Sequence, residues 1–351
     1  MAERPWSERP LVQLTLVRLR EFVREPEAVF WTFLFPVLMT AGLGIAFRSK
    51  PESAARVALL AGAPAARETA ARLSGNRLLE VQTLDDSAAA RALRTGKLAL
   101  VLVPQSDSTV EYRYDDTRPE GVAARRLVDD ALQRARGRSD PVKVRESHLR
   151  ERGSRYVDFV VPGLLGMNLL GSGVWGIGFS IVDSRRKRLL KRLIATPMPK
   201  ASYLASFLLS RLTFLVLEAA VLLLFAALVF GVPLRGSLPA LAVICLLSAL
   251  AFGGLGLLVA SRQRTIEGAS GLMNLTMVPM WVFSGIFFSA SRFPAVTQPF
   301  IQALPLTAVN NALRANMLEG ATLAQVTPEL AIISAWLLVT FAVALKIFRW
   351  Q

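Results

Sequence analysis

This chain has little of what catalytic and metal-binding sites are built from. Its 351 residues include one cysteine, Cys245, and one histidine, His148. A disulfide framework within the chain is excluded, as is any zinc or iron–sulfur site that needs several cysteines. A lone histidine leaves no cluster for a metal and no second ring for a proton relay. Charged residues make up only 19% of the chain, below the roughly one quarter usual in soluble domains. No Gly-x-x-x-x-Gly-Lys-Ser/Thr phosphate loop occurs, so no segment cradles ATP phosphates in the P-loop manner. Neither His-Glu-x-x-His nor Gly-x-Ser-x-Gly is present, and an intramembrane hydrolase has no constellation to work with. We expect no catalytic residue and no metal ligand in this chain.

What the chain does have is apolar length. It is 53% hydrophobic, with a mean hydropathy of +0.42. About 20 apolar residues suffice to cross roughly 30 Å of hydrocarbon. Six stretches qualify: Val29–Phe47, Phe159–Val182, Tyr203–Phe230, Leu238–Ala260, Gly268–Ala290 and Glu329–Phe348. The first follows 28 polar and amphipathic residues without a small-x-small cleavage pattern, and reads as a retained span.

A formal net charge of +15 would in a soluble protein suggest nucleic acid. Its distribution argues otherwise. With the N-terminus in the cytoplasm, the inner segments hold sixteen Lys or Arg: five in 1–28, seven in 183–201, Arg262 with Arg264, and Lys346 with Arg349. The short outer segments hold only Arg235, Arg292 and Arg314. That bias places both termini in the cytoplasm by the positive-inside rule, and nucleic acid drops out as a partner.

Between the first two spans lies a polar insert, residues 48–157, which this topology puts outside. It patterns as a small α/β domain, with strands over Val57–Leu60, Leu98–Val103 and Thr109–Tyr114 and helices over Ala65–Leu73, Ala88–Leu93 and Gly121–Ala135. Asp115 and Asp116 end the third strand, where carboxylates make turn and capping hydrogen bonds more often than cation sites. The insert also carries 21 basic and 15 acidic residues.

Two amphipathic segments fall on the inner side. Leu11–Glu25 aligns Val12, Leu16, Leu19 and Val23 on one stripe with Arg20 and Arg24 among the polar positions, the pattern of an interfacial helix that Pro26 then ends. Residues 183–200 align Leu189, Leu190, Leu193 and Ile194, surrounded by Arg185, Arg186, Arg188, Lys191 and Arg192, until Pro197 stops the helix. Such a helix grips headgroups or docks in a groove of a cytoplasmic protein, and positive-inside sorting alone would also account for its charge.

The order of several short motifs is more specific. Tyr156-Val-Asp-Phe-Val-Val-Pro-Gly163, a glycine-rich span, the basic loop closing on Arg192-Leu-Ile-Ala-Thr-Pro197, and Tyr203–Arg211 resemble the permease subunits of type-2 ABC exporters. Ser284-Gly-Ile-Phe-Phe288, Ala303-Leu-Pro-Leu-Thr307, Ala312-Leu-Arg314 and Glu319-Gly320 resemble the closing section of the same family, where the chain dips back into the outer leaflet. Family members often carry an acidic residue followed by Gly-Thr in the inner loop, where this chain has Arg186, Arg188 and Leu189.

The resemblance implies an α-helical polytopic membrane protein: six transmembrane helices, an α/β extracytoplasmic domain between the first two, and an outer re-entrant segment over 291–328. It implies that the loop of Arg185, Arg186, Arg188, Leu189, Leu190, Lys191, Arg192, Leu193, Thr196 and Pro197 is a coupling helix seated on an ABC ATPase. It implies partners: an ATPase subunit dimer, which would bind the ATP and Mg that this chain does not, a second permease as homo- or heterodimer, and membrane lipids. The setting would be the bacterial cytoplasmic membrane, and the size of the outer domain is more like the drug and lipid exporters. A membrane receptor or assembly platform built on that domain is the competing class.

Polar residues within spans are candidates for a transport pathway. Glu218 sits mid-span, where ionisable groups are costly and are paired or functional. Arg211 is seven residues earlier, about 10 Å along a helix, a distance that suggests partners for Glu218 on another helix or protomer. Asn168 and Ser172 in the second span, and Met273, Asn274 and Met277 in the fifth, are the other candidates. Helix-to-helix hydrogen bonding explains the amides equally well.

Overall fold

A computed structural model describes residues 10–47, 54–106, 109–139, 153, 155–187, 200–263 and 265–347. The chain forms two compact units, one from Met1–Arg48 with Arg150–Gln351 and the other from Ser49–Leu149.

The smaller unit is an α/β fold. Strands β1 (Ala55–Leu60), β2 (Leu79–Leu84), β3 (Leu100–Pro104) and β4 (Val110–Arg113) form one sheet in the order β2-β1-β3-β4, with β4 antiparallel to β3. Alternation sorts the side chains. Val57, Leu59, Leu100 and Leu102 face one way and pack on Leu73, Val128 and Leu132, whereas Ala58 and Val101 face Ala89 and Leu98. The sequence pattern omits β2, whose Glu80 and Gln82 dilute the strand signal at the sheet edge. The Asp115 carboxylate accepts from the Thr117 backbone N–H at 3.0 Å, an Asx turn.

The larger unit is helical. Its first element, α1 (Pro10–Val23), packs along a later helix and leaves Leu16, Val17 and Val23 exposed. Next comes α2 (Pro26–Ala46), interrupted by a π turn over Phe30–Leu34. With α3 (Ala66–Leu73), α4 (Asp86–Arg94) and α5 (Pro119–Ala135) belonging to the smaller unit, the chain returns in α6 (Tyr156–Arg186), α7 (Lys200–Phe230) and α8 (Leu238–Ala260). α9 (Ile266–Phe283), α10 (Gln298–Ala303), α11 (Pro305–Arg314) and α12 (Thr327–Ile347) complete it.

Five of these helices are long and apolar enough to cross a membrane: Pro26–Ala46, Tyr156–Asp183, Leu209–Phe230, Leu238–Ala260 and Thr327–Ile347. Their outward faces are apolar, with Leu228 83% and Leu338 69% exposed, a surface that hydrocarbon solvates and water does not. This is a polytopic membrane protein. α9 is shorter and ends at Phe283, where the sequence pattern carries the span on to Ala290. The chain turns at Gly285, whose φ of +72° is open to glycine and costly for other residues.

α6 is the hub, and most of its span is buried. Small residues let α8 approach it backbone to backbone: a Cβ added at Gly256 would lie 2.8 Å from the Gly173 carbonyl oxygen.

Candidate functional site

The sequence candidates divide among three neighbours of α6. On the face toward α7, Glu218 is buried and meets Arg211 after all. Arg211 Nη1 donates to Glu218 Oε1 at 3.0 Å, and the Ser172 hydroxyl lies 3.0 Å from Glu218 Oε2. Arg211 Nη2 also donates to the Ser172 hydroxyl. The expectation of a partner elsewhere is corrected by the reach of the two side chains. Seven residues are nearly two turns, so both groups share a face, and each extends toward Ser172 between them. The carboxylate is fully buried and the guanidinium 14% exposed. Ion pair and hydroxyl together satisfy charges that hydrocarbon would leave bare.

One turn from Ser172 on the same face, Asn168 Nδ2 donates to the Thr32 carbonyl of α2 at 3.1 Å. The reason lies in α2. Pro36 has no N–H, so the carbonyl four residues earlier, that of Thr32, has lost its usual acceptor role within the helix. Asn168 supplies the missing donor from outside. The pair at i, i+4 thus serves two neighbours, Asn168 toward α2 and Ser172 toward α7.

A different face of α6 receives the methionines. Met273 and Met277 are buried, and a Cβ at Gly178 or Gly171 would meet their Cε atoms at 2.4 and 3.9 Å respectively. They pack into the glycine surface of α6, the adaptable contact that a thioether suits. Asn274, one residue on, is exposed on the other side of α9. The structure therefore joins Ser172, Glu218 and Arg211, while Asn168, the two methionines and Asn274 stand at separate places around α6.

Of the inner loop, Arg188, Leu189, Leu190, Lys191, Arg192, Leu193, Thr196 and Pro197 lie outside the described residues. Arg185 and Arg186 form the last turn of α6. The Arg185 guanidinium reaches the end of α8, with Nη1 donating to the carbonyls of Gln263 at 2.7 Å and Ala260 at 3.2 Å, and Nη2 to that of Ser261 at 3.4 Å. A cation here satisfies carbonyls that a helix C-terminus leaves without partners. Arg186 and Lys187 pair with Asp183 at 3.4 and 2.7 Å.

Sequence reasoning did not single out the other end of α6 as a site. Tyr156 donates to the Phe287 carbonyl at 2.9 Å, and Asn310 Nδ2 to that of Ser284 at 2.8 Å. Arg314 Nε donates to the Phe159 carbonyl at 3.3 Å, Nη2 bonds the Gly285 carbonyl, and the guanidinium lies 3.8 Å over the Phe159 ring. Asn310 and Arg314, at i, i+4 on α11, pin the turn that follows α9. Their shared helical face was the signal in the sequence.

Comparison with known proteins places this geometry. Residues 27–346 match the family described as ABC-2 family transporter protein. ABC transporter G family member 20 of Dictyostelium discoideum is 28% identical over 61% of this chain and 30% of its own length. Linearmycin resistance permease protein LnrN of Bacillus subtilis (strain 168) is 26% identical over 50% of this chain and 45% of its own. Inner membrane transport permease YadH of Escherichia coli (strain K12) is 24% identical, covering 57% and 75%. The chain thus spans less than half the length of the first two relatives.

Proposed function

The chain belongs to the ABC-2 family of transporter proteins, and from that membership we propose that it is the permease half of an ATP-driven exporter for amphiphilic, drug-like or lipid-like substrates. On this reading the permease works with an ABC ATPase, and ATP and its Mg would bind to that partner. The observation that carries the reading is the family match across residues 27–346, which includes the inner loop as well as the spans.

The proposed arrangement has six crossings, with α9 as the short fifth, both termini inside and the α/β unit outside the inner membrane. Two permeases, identical or not, would flank one pathway. Closure of the ATPase pair would push on the loop 185–197. Arg185 would carry that push to the α8–α9 connection, because its guanidinium already holds three carbonyls there. The relatives' names support transport as the class, and linearmycin resistance is a property of its own protein.

The test is co-purification with an ABC ATPase encoded beside the permease. Leu189→Asp with Leu193→Asp removes the apolar stripe of the loop. The double variant is expected to reach the membrane and lose the ATPase. Undiminished co-purification would overturn the coupling assignment. Export is then tested by substrate-stimulated ATP hydrolysis of the reconstituted complex with a panel of amphiphiles.

A further inference from the structure

Arg314 is a cation without a counter-ion among the described residues. Its Nε and Nη2 donate to the carbonyls of Phe159 and Gly285, and its guanidinium stacks on the Phe159 ring. Carbonyls and a ring solvate the charge but do not neutralise it. Asp158, next to Phe159 in the chain, gives one carboxylate oxygen to Arg155 Nη2 at 2.8 Å and the other to Arg155 Nε at 2.9 Å. Arg211, inside α7, has Glu218 for that purpose, whereas Arg314 pairs with no described carboxylate. A charge held within a membrane bundle is costly until something pairs with it.

The geometry leaves room for such a partner. Nη1, the third guanidinium nitrogen, has no protein partner among the described residues and is open to the surface. It borders the space that Gly285 leaves by lacking a side chain. A Cβ added there would lie 3.5 Å from Arg314 Nη1 and 3.3 Å from the Ala290 backbone nitrogen. Ser284, Gly285, Ile286 and Asn310 at this turn are buried, and the Ser284 hydroxyl is a buried group without a partner. An occupant must therefore be small. A phosphate or carboxylate headgroup needs more room and several donors, whereas a halide is a sphere without directional demands, to which an arginine N–H is a charge-assisted donor.

We propose that Arg314 Nη1 and the open side of Gly285 form a binding site for one chloride ion, which neutralises the guanidinium and fixes the turn after α9. The location of this site on the outer side rests on the topology proposed above, and the binding itself does not.

The experiment uses the full-length permease in detergent, dialysed against radiolabelled chloride in sodium gluconate of constant ionic strength. Wild type is expected to hold about one chloride per chain, displaced by unlabelled bromide and not by gluconate, which is too large for the space. Arg314→Gln should bind chloride at least about tenfold more weakly, the worth of one charge-assisted hydrogen bond. Arg292→Gln, at an exposed arginine of the same outer segment, should bind like wild type. Absence of saturable chloride in wild type, or equal binding by Arg314→Gln, overturns the site. So does a loss confined to Arg292→Gln. Should Arg314→Gln fail to fold, wild-type crystals soaked in bromide decide the matter: an anomalous peak beside Gly285 and Arg314 supports the site, and no peak there overturns it. None of these readouts involves the ATPase, so the chloride site and the transport reading fail separately.

Discussion

Replacing Glu218 by Gln should cost the permease about 3 kcal/mol of folding stability. The magnitude follows from what the substitution leaves behind. Breaking a buried ion pair by removing one partner costs about 3–5 kcal/mol, because the surviving charge has no compensation. The Glu218 side chain is fully buried, but Arg211 keeps 14% exposure and retains Ser172 as an acceptor, which argues for the lower end. The double substitution Arg211→Met with Glu218→Leu removes both charges and should lie close to wild type, since well-packed apolar groups replace buried pairs at little cost. Ser172→Ala should cost about 2 kcal/mol, because its hydroxyl meets both buried charges. The assay is reversible unfolding in mixed lipid–detergent micelles, run as a double-mutant cycle. A coupling energy within about 0.5 kcal/mol of zero, the range for independent sites, would refute the pairing.

Three other outcomes are expected. Asn168→Leu should cost about 1–2 kcal/mol by stranding the Thr32 carbonyl, and Pro36→Ala, which returns an N–H to α2, should recover part of that loss in the same unfolding assay. Arg185→Ala should leave the ATPase bound and depress substrate-stimulated hydrolysis, measured on the reconstituted complex. In the α/β unit, burial and the neighbouring Asp129 push the Tyr112 phenol up to about 12. Because the folded state keeps the proton longer, the stability Tyr112 contributes is intact below the ordinary tyrosine value and is lost as pH rises from there through about 12. Phenolate absorbance should show a late-titrating tyrosine that Tyr112→Phe removes.

What the sequence could reveal depended on how local each signal was. α8 runs over Leu238–Ala260 because Ser237 caps it, its hydroxyl accepting from the Ala240 N–H, and the apolar run stops where the helix does. The end of α9 is hidden by Ile286, Phe287 and Phe288, which continue the apolar run past a turn that only the backbone at Gly285 reveals. β2 is hidden because half of its six residues are polar, and Thr83 beside Gln82 breaks the alternation that Leu79-Glu80-Val81 begins. The Arg211–Glu218 contact depends on side-chain reach and on a hydroxyl from another helix. Residue spacing along α7 holds neither.

The contacts around α6 also differ in kind, and that difference bears on how the helices can separate. Toward α8 the contact is tightly interlocked, with Gly256 against the Gly173 carbonyl, Phe252 against Gly173 and Ile177 against Gly253, which leaves no gap for α8 to shift into. Sliding α8 would therefore open voids along its whole length. Toward α7 and α2 the polar ties are few and discrete: Ser172 with the ion pair, and Asn168 with Thr32. A discrete hydrogen bond can break and re-form over a short movement without unpacking a helix face. Substitutions at Glu218 or Asn168 thus act on α7 and α2 while leaving the α6–α8 seam in place, and that seam is the part of the bundle expected to behave as one body.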